Sequence, residues 1–183
     1  MLASAVSLTR LILEEKPDLI IQAGIAGCFD RTETLGKVVV ISDEMLGDTG
    51  VQENGEWRDL FDLGLSTPDG QPYENRMLPN PWLEKYNLLG LPQVRSVTVN
   101  EITTSAERIK QITGKYNPQI ESMEGAPLHY ICRQTNTPFI QIRAISNYIG
   151  ERDKTKWEMK EAIANLNRAL IEYFELLAAI VDR

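Results

Sequence analysis

Apolar positions recur every three to four residues from Met1 to Glu15 (MLASAVSLTRLILEE). Leu2, Val6, Leu8, Leu11 and Ile12 fall on one face, which predicts an amphipathic helix. Lys16 and Pro17 end it, and Asp18 to Ala23 (DLIIQA) reads as a buried strand. Gly24-Ile25-Ala26-Gly27 then reads as a tight turn whose free backbone N–H groups can approach a ligand. Gly36 to Glu44 (GKVVVISDE) is the clearest strand, rich in β-branched residues. From Met45 to Pro92 the periodicity is lost among Pro68, Pro72, Pro79, Pro81 and Pro92, which predicts irregular excursions over a site or an interface. Val94 to Val99 is a further strand. Thr103, Thr104 or Ser105 caps a helix from Ala106 to Thr113, ended by Gly114. Gln119 to Glu121 is a short strand. Pro127 is tolerated only in a first helical turn, so the next helix starts near Met123 or Glu124 and runs to about Thr135. Pro138 leads a strand from Phe139 to Ile145. A last helix, from about Thr155 to Val181, carries Trp157, Ile163, Leu166, Leu170, Phe174, Leu177 and Val181 on one face.

Strands and helices alternate, and most strands are near-continuously apolar. That pattern predicts an α/β fold, a three-layer αβα sandwich around a mostly parallel or mixed central sheet, as one domain over residues 1–183. Ligands of such sheets sit at the C-terminal ends of strands. That edge collects Gly24 to Gly27, Val99 to Thr103, Met123-Glu124 and Ser146-Asn147.

Composition narrows the function classes. Apolar content of 43% and charged content of 25% are those of an ordinary globular domain. A net charge of −7 without any cluster of lysines and arginines excludes a duplex-binding surface, so no nucleic-acid partner is expected. Two cysteines, Cys28 and Cys132, and the single His129 follow no metal-ligand spacing, so no metal is expected. No apolar run reaches membrane-spanning length, and the start lacks a basic segment followed by an apolar one. The expectation is a cytoplasmic protein, with no membrane partner and with reduced, partly buried thiols.

Two residues carry the candidate chemistry. Glu124 is a carboxylate at a helix start, where it either grips a ligand or is simply stabilised by the helix dipole. Asn147 lies just past a strand end, as a ligand-handling amide or as a loop-capping turn residue. His129, with no obvious acidic partner, is expected to be structural. Arg152, Asp153 and Lys154 form a polar loop that either closes over a ligand or is solvated.

Taken together, several motifs resemble the purine nucleoside phosphorylase and nucleosidase superfamily and, within it, the futalosine hydrolases. They are AGIAG at Ala23 to Gly27, GKVVVISDE, TVNEITTS at Thr98 to Ser105, SMEGAP at Ser122 to Pro127, and RAISNYIGERD at Arg143 to Asp153 with Trp157 behind it. The resemblance implies a nucleoside phosphorylase-like domain that hydrolyses the N-glycosidic bond of a purine nucleoside. The implied reaction converts futalosine to hypoxanthine and dehypoxanthine futalosine, in menaquinone biosynthesis, with no cofactor. It also implies a homo-oligomer. The alternatives on the same fold are a phosphorylase, a methylthioadenosine-type nucleosidase, or a non-catalytic nucleoside-binding fragment.

By the same resemblance Glu124 accepts hydrogen bonds from ribose hydroxyls, Met123 packs under the sugar, and Ile25, Ala26, Gly27 and Ile102 line the substrate. Asn147 stands where adenine-cleaving relatives carry aspartic acid. Its NH₂ can donate toward N7 or a 6-keto oxygen with its own carbonyl free, which implies a hypoxanthine-like leaving base. Ile25 stands where phosphorylases place a hydroxyl residue to hold phosphate, which implies water as the attacker. Family members open with a strand and a glycine turn ahead of the helix that begins here at Met1, and that segment carries the glutamate that activates the water. No residue of this chain matches it. The expectation is that the 183-residue chain by itself has little or no hydrolase activity, and that an uncovered sheet edge promotes association.

Overall fold

The computed structural model describes residues 1–181. Helix α1 (Leu2–Glu15) ends at Lys16 in the left-handed conformation and leads into β1 (Ile20–Cys28). After β2 (Val38–Leu46) come a hairpin of β3 (Gly50–Glu53) and β4 (Glu56–Asp59), a two-residue β5 (Leu78–Pro79) and a single turn of helix α2 (Leu83–Tyr86). The rest of the chain alternates: β6 (Gln93–Thr98), α3 (Ala106–Tyr116), β7 (Ile120–Ser122), α4 (Gly125–Thr135), β8 (Phe139–Tyr148) and α5 (Met159–Val181).

The strands form one mixed sheet in the order β5-β2-β6-β7-β1-β8. The pairs β1–β8, β2–β6 and β6–β7 are parallel, while β7 meets only the last two residues of β1, in antiparallel register. The sheet also curls until Val38 to Val40 of β2 pair with Ile142 to Ala144 of β8, so β2, β6, β7, β1 and β8 join in a ring. Ala26, Cys28, Val39, Ile41, Ile120 and Ile145, from four of those strands, pack together as one core. Outside the ring, α5 brings Ala162, Leu166 and Tyr173 against Val40, Ile140 and Ile142, and α1 and α4 bring Ile12, Leu128 and Cys132 against Ile20 and Phe139. The α/β architecture with a mixed central sheet agrees with the alternation in the sequence. Among the described residues, no helix is long and apolar enough to cross a membrane.

Several local expectations are corrected. Gly24 to Gly27 is not a turn: both glycines lie inside β1, which continues to Cys28. They are small because β8 and the residue that follows it crowd them. A Cβ on Gly24 would collide with the Arg143 guanidinium, and one on Gly27 would collide with Ile149. Helix α3 runs through Gly114 to Tyr116, and Asn117 takes the left-handed cap. The stretch from Met45 to Pro92 holds a hairpin turned by Asn54 (φ 52) and Gly55 (φ 81), the dipeptide that a two-residue turn between twisted strands demands. Strand β8 continues through Tyr148, so Asn147 is within the strand end and not beyond it. In α5 the inward face is Ala162, Leu166, Leu170, Tyr173 and Leu177, whereas Ile163 and Phe174 are exposed. The Val181 side chain, assigned to that face from the sequence, lies outside the described residues, as do the last two residues of the expected domain.

Candidate active site

The C-terminal ends of β1, β7 and β8 converge on a cavity of ≈ 250 Å³. Ile25, Ala26, Gly27, Ile102, Met123, Glu124 and Asn147, the residues singled out from the sequence, all border it. A larger hollow of ≈ 420 Å³ lies alongside and shares Ile102 and Thr103 with it. The smaller one is the candidate site, because it gathers Glu124 and Asn147 at the strand ends where an α/β sheet handles ligands.

Glu124 is the N-cap of α4, yet its side chain makes no capping hydrogen bond. The carboxylate therefore does not serve the helix. It is 46% exposed and lies 3.6 Å from the guanidinium of Arg143, whose side chain is 4% exposed. Arg143 also donates to Gln22 Oε1 at 2.9 Å, and Gln22 Nε2 donates to the backbone carbonyl of Glu124 at 3.2 Å. Gln22 and Arg143 thus hold both ends of Glu124 from neighbouring strands. Burial lowers the Arg143 pKa, against the opposing pull of Glu44 and Glu124.

Behind Arg143 runs a closed polar network. The Gln141 amide, oriented by its neighbours, accepts from Arg143 Nε at 3.1 Å and donates to Glu44 Oε2 at 3.2 Å and to His129 Nε2 at 2.9 Å. His129 Nδ1–H donates to the Leu78 carbonyl at 2.7 Å, so the ring is the neutral tautomer protonated at Nδ1. Thr98 Oγ1 donates to Glu44 Oε1 at 2.8 Å and accepts from the Ala126 N–H at 2.8 Å, tying Glu44 to the first turn of α4. Burial pushes Glu44 up to about 7 and His129 down to about 4. The packing explains the glycine of SMEGAP: a Cβ on Gly125 would enter the space taken by the Glu44 carboxylate and the Gln141 amide. His129 is buried in this network, the structural role expected of it.

Asn147 is aimed by an irregularity. Along β1 and β8 the pairing runs in step to Ala26–Ile145, then jumps to Gly27–Asn147, leaving Ser146 as the bulged residue. Such bulges turn a side chain to a new direction. Ser146 Oγ donates to Asn147 Oδ1 at 2.9 Å, and Asn147 Nδ2 donates to the Tyr148 carbonyl at 3.2 Å. The carbonyl expected to be free is therefore engaged by Ser146. The Tyr148 carbonyl, which can only accept, fixes which end of the amide is which and leaves the second N–H of Nδ2 as the donor for a ligand.

The loop after β8 borders the same cavity through Gly150, Glu151, Arg152 and Trp157. Trp157 Nε1 donates to the Glu151 carbonyl at 3.1 Å, which folds the loop back on itself. Sequence reasoning gave no role to Gln22 and Glu121, and it placed Glu44 at a strand end and Arg143 in a motif without finding their partners. Each is a polar residue inside an apolar strand, and that combination is itself a signal, because burying such a group requires a partner or a purpose.

Comparison with known proteins accords with the geometry. The family description "Phosphorylase superfamily" matches residues 1–182. A futalosine hydrolase of Thermus thermophilus is 30% identical over 151 residues, which make up 80% of this chain and 65% of that enzyme. The chain thus spans about two thirds of that relative's length. A 5′-methylthioadenosine/S-adenosylhomocysteine nucleosidase of Bacillus subtilis is 26% identical over 98% of this chain and 76% of its own length. Among solved structures, a 5′-methylthioadenosine/S-adenosylhomocysteine nucleosidase from Colwellia psychrerythraea in complex with adenine superposes with a TM-score of 0.78. It is 21% identical, covering 96% of this chain and 74% of the other, and shows the same fold. With nearly its whole length matched, and with the cavity placed where the strand ends converge, this chain belongs to the phosphorylase superfamily.

Proposed function

We propose that the cavity binds a purine nucleoside and cleaves its N-glycosidic bond, with futalosine as substrate and hypoxanthine as leaving base. One observation carries the reading: Glu124 and Asn147, a carboxylate free of its helix and an amide with a spare donor, border one hollow. Glu124 accepts hydrogen bonds from ribose hydroxyls, and these charge-assisted bonds strengthen as positive charge develops on the sugar. Arg143 and Gln22 keep the carboxylate in place. Asn147 donates to the purine as electrons move into the departing base. Water attacks, since the Ile25 side chain offers phosphate no hydrogen bond.

The Bacillus relative favours a second reading, cleavage of an adenine nucleoside on the same scaffold. A preference for adenine over hypoxanthine would select it, and phosphate-dependent turnover would select a phosphorylase. Reduced, buried Cys28 and Cys132 support a cytoplasmic location. Exposed Leu2, Val6, Ile171 and Phe174 support a homo-oligomer that covers them.

Calorimetry with Glu124→Gln tests the site. If Glu124 holds the sugar, nucleoside affinity falls by about 10- to 100-fold, the worth of hydrogen bonds to a charged group, while affinity for free hypoxanthine is unchanged. Equal losses for nucleoside and free base would refute the assignment.

A further inference from the structure

A cavity of ≈ 340 Å³ lies where Arg95, near the start of β6, meets the last turn of α3 and the chain just before β5. Arg76, Arg95 and Lys115 line it together with Met45, Met77 and Tyr116, and among the described residues no acid borders it. It shares no residue with the candidate site or with the hollow beside that site. Three cations around one space stand out in a chain of net charge −7.

Two of the cations are held from outside the cavity. Arg76 Nη1 donates to Asp62 Oδ1 at 2.7 Å and lies 3.5 Å from Asp59 Oδ2. Lys115 Nζ donates to Asp62 Oδ2 and lies 3.3 Å from Asp59 Oδ2. Asp59 is buried, and the Tyr116 hydroxyl donates to it at 3.4 Å while accepting from Trp57 Nε1 at 2.9 Å. Arg76 uses one nitrogen in these bonds, so its remaining N–H groups stay available. Arg95 differs. Gln119 fixes its backbone, Oε1 accepting the Arg95 N–H at 2.7 Å and the Gln119 N–H donating to the Arg95 carbonyl at 2.9 Å. Its side chain is half-buried, and among the described residues the guanidinium has no ion pair and no hydrogen bond. Asp43, its register partner on β2, accepts from Ser42 Oγ at 2.7 Å instead. The cluster thus sets three positive charges against two negative ones, and the uncompensated charge is that of Arg95.

A cleft lined by charges of one sign focuses their field and draws ions of the other sign. Arginine grips an oxyanion through parallel N–H bonds, and lysine adds a point charge beside it. The carbonyl end of α3 opposes an anion here, but it amounts to about half a charge against three whole ones. We propose that this cavity is a second ligand site, which binds the phosphate or carboxylate group of a small molecule between Arg76, Arg95 and Lys115. Met45, Met77 and Tyr116 receive the rest of that molecule, in a volume typical of small-molecule sites. The site is separate from the nucleoside cavity and does not depend on that reading.

The probes are inorganic phosphate and malonate, each titrated by calorimetry at low ionic strength into the unmodified protein and into Arg95→Gln. At least one anion should bind the unmodified protein, and the tighter of the two identifies the class. Losing hydrogen bonds from a charged group should weaken that binding by about 10- to 100-fold in Arg95→Gln. Because the Arg95 side chain holds nothing else, Tm and hypoxanthine affinity should stay unchanged. Arg95→Lys keeps the charge without the fork, and should show a smaller loss in the same direction if the glutamine variant does not fold. Anion affinity equal in the unmodified protein and both variants would put the anion elsewhere and overturn the proposal. So would the failure of both probes to bind the unmodified protein.

Discussion

Replacing Gly125 by alanine probes the link between the buried network and the site. The added Cβ would sit 2.6 Å from the carboxyl carbon of Glu44 and 2.6 Å from the Gln141 amide. Carbon atoms pack at about 3.5–4.0 Å, so something must move by roughly 1 Å. Neither neighbour can swing aside cheaply, because both are fully buried, and Gln141 is bonded to Arg143, Glu44 and His129 at once. The first turn of α4 has to lift instead, and it carries Glu124 with it. Overpacking of this kind costs about 1–3 kcal/mol, which for a domain of this size lowers Tm by roughly 2–12 °C. The displaced carboxylate should also weaken nucleoside binding by about tenfold or more while free hypoxanthine still binds normally. Thermal denaturation followed by circular dichroism, and calorimetry with nucleoside and base, measure the two effects. An alanine variant with unchanged Tm and unchanged nucleoside affinity would refute the picture of Glu124 braced from beneath by Glu44 and Gln141.

The same network has a pH signature. The folded state holds the Glu44 proton up to about pH 7, whereas the unfolded chain releases it near 4.5. Glu44 therefore favours the folded state fully below pH 4.5, and that advantage is lost as pH rises through about 7, a swing of roughly 3 kcal/mol. His129 acts in the opposite sense: its pKa falls from 6.5 to about 4 on folding, so its contribution is lost as pH drops through that range. In Glu44→Gln the His129 slope is no longer offset by Glu44, and urea denaturation should show stability falling between pH 6.5 and 4 more steeply than in the unmodified protein; parallel profiles would contradict this. Asn147→Asp should shift base preference from 6-oxo toward 6-amino purines, because a protonated aspartic acid donates to N7 while its other oxygen accepts from the exocyclic amine, where the asparagine NH₂ donates to a 6-keto oxygen instead. An unchanged ratio of hypoxanthine to adenine affinity in that variant would remove the role given to the amide.

Much of this was legible in the chain, and the failures have physical causes. Periodicity placed the main helices and strands, because apolar residues repeat with the period of the element that buries them. Glu124 and Asn147 could be placed beside one cavity from the sequence because both stand where strands end, the edge at which an α/β sheet opens. The glycines at 24 and 27 misled because glycine signals both a turn and a close approach, and only the register with β8 reveals which. Asn54-Gly55 was a readable hairpin signal, overlooked among the surrounding prolines. In α5, Ala162 and Tyr173 took the inward face that Ile163 and Phe174 were expected to hold, because hydrophobicity alone does not fix helix rotation when apolar residues occupy more than one face. The partners of Glu44, Glu121 and Arg143 stayed hidden for a different reason. A charge inside a strand has meaning only once its partner is known, and their partners lie on other elements.

A crystal structure with a purine nucleoside bound would test the site most directly. Ribose hydroxyls within hydrogen-bond distance of the Glu124 carboxylate, with the base against Asn147, is the expected arrangement. A nucleoside seated elsewhere, or one whose sugar turns away from Glu124, would contradict it.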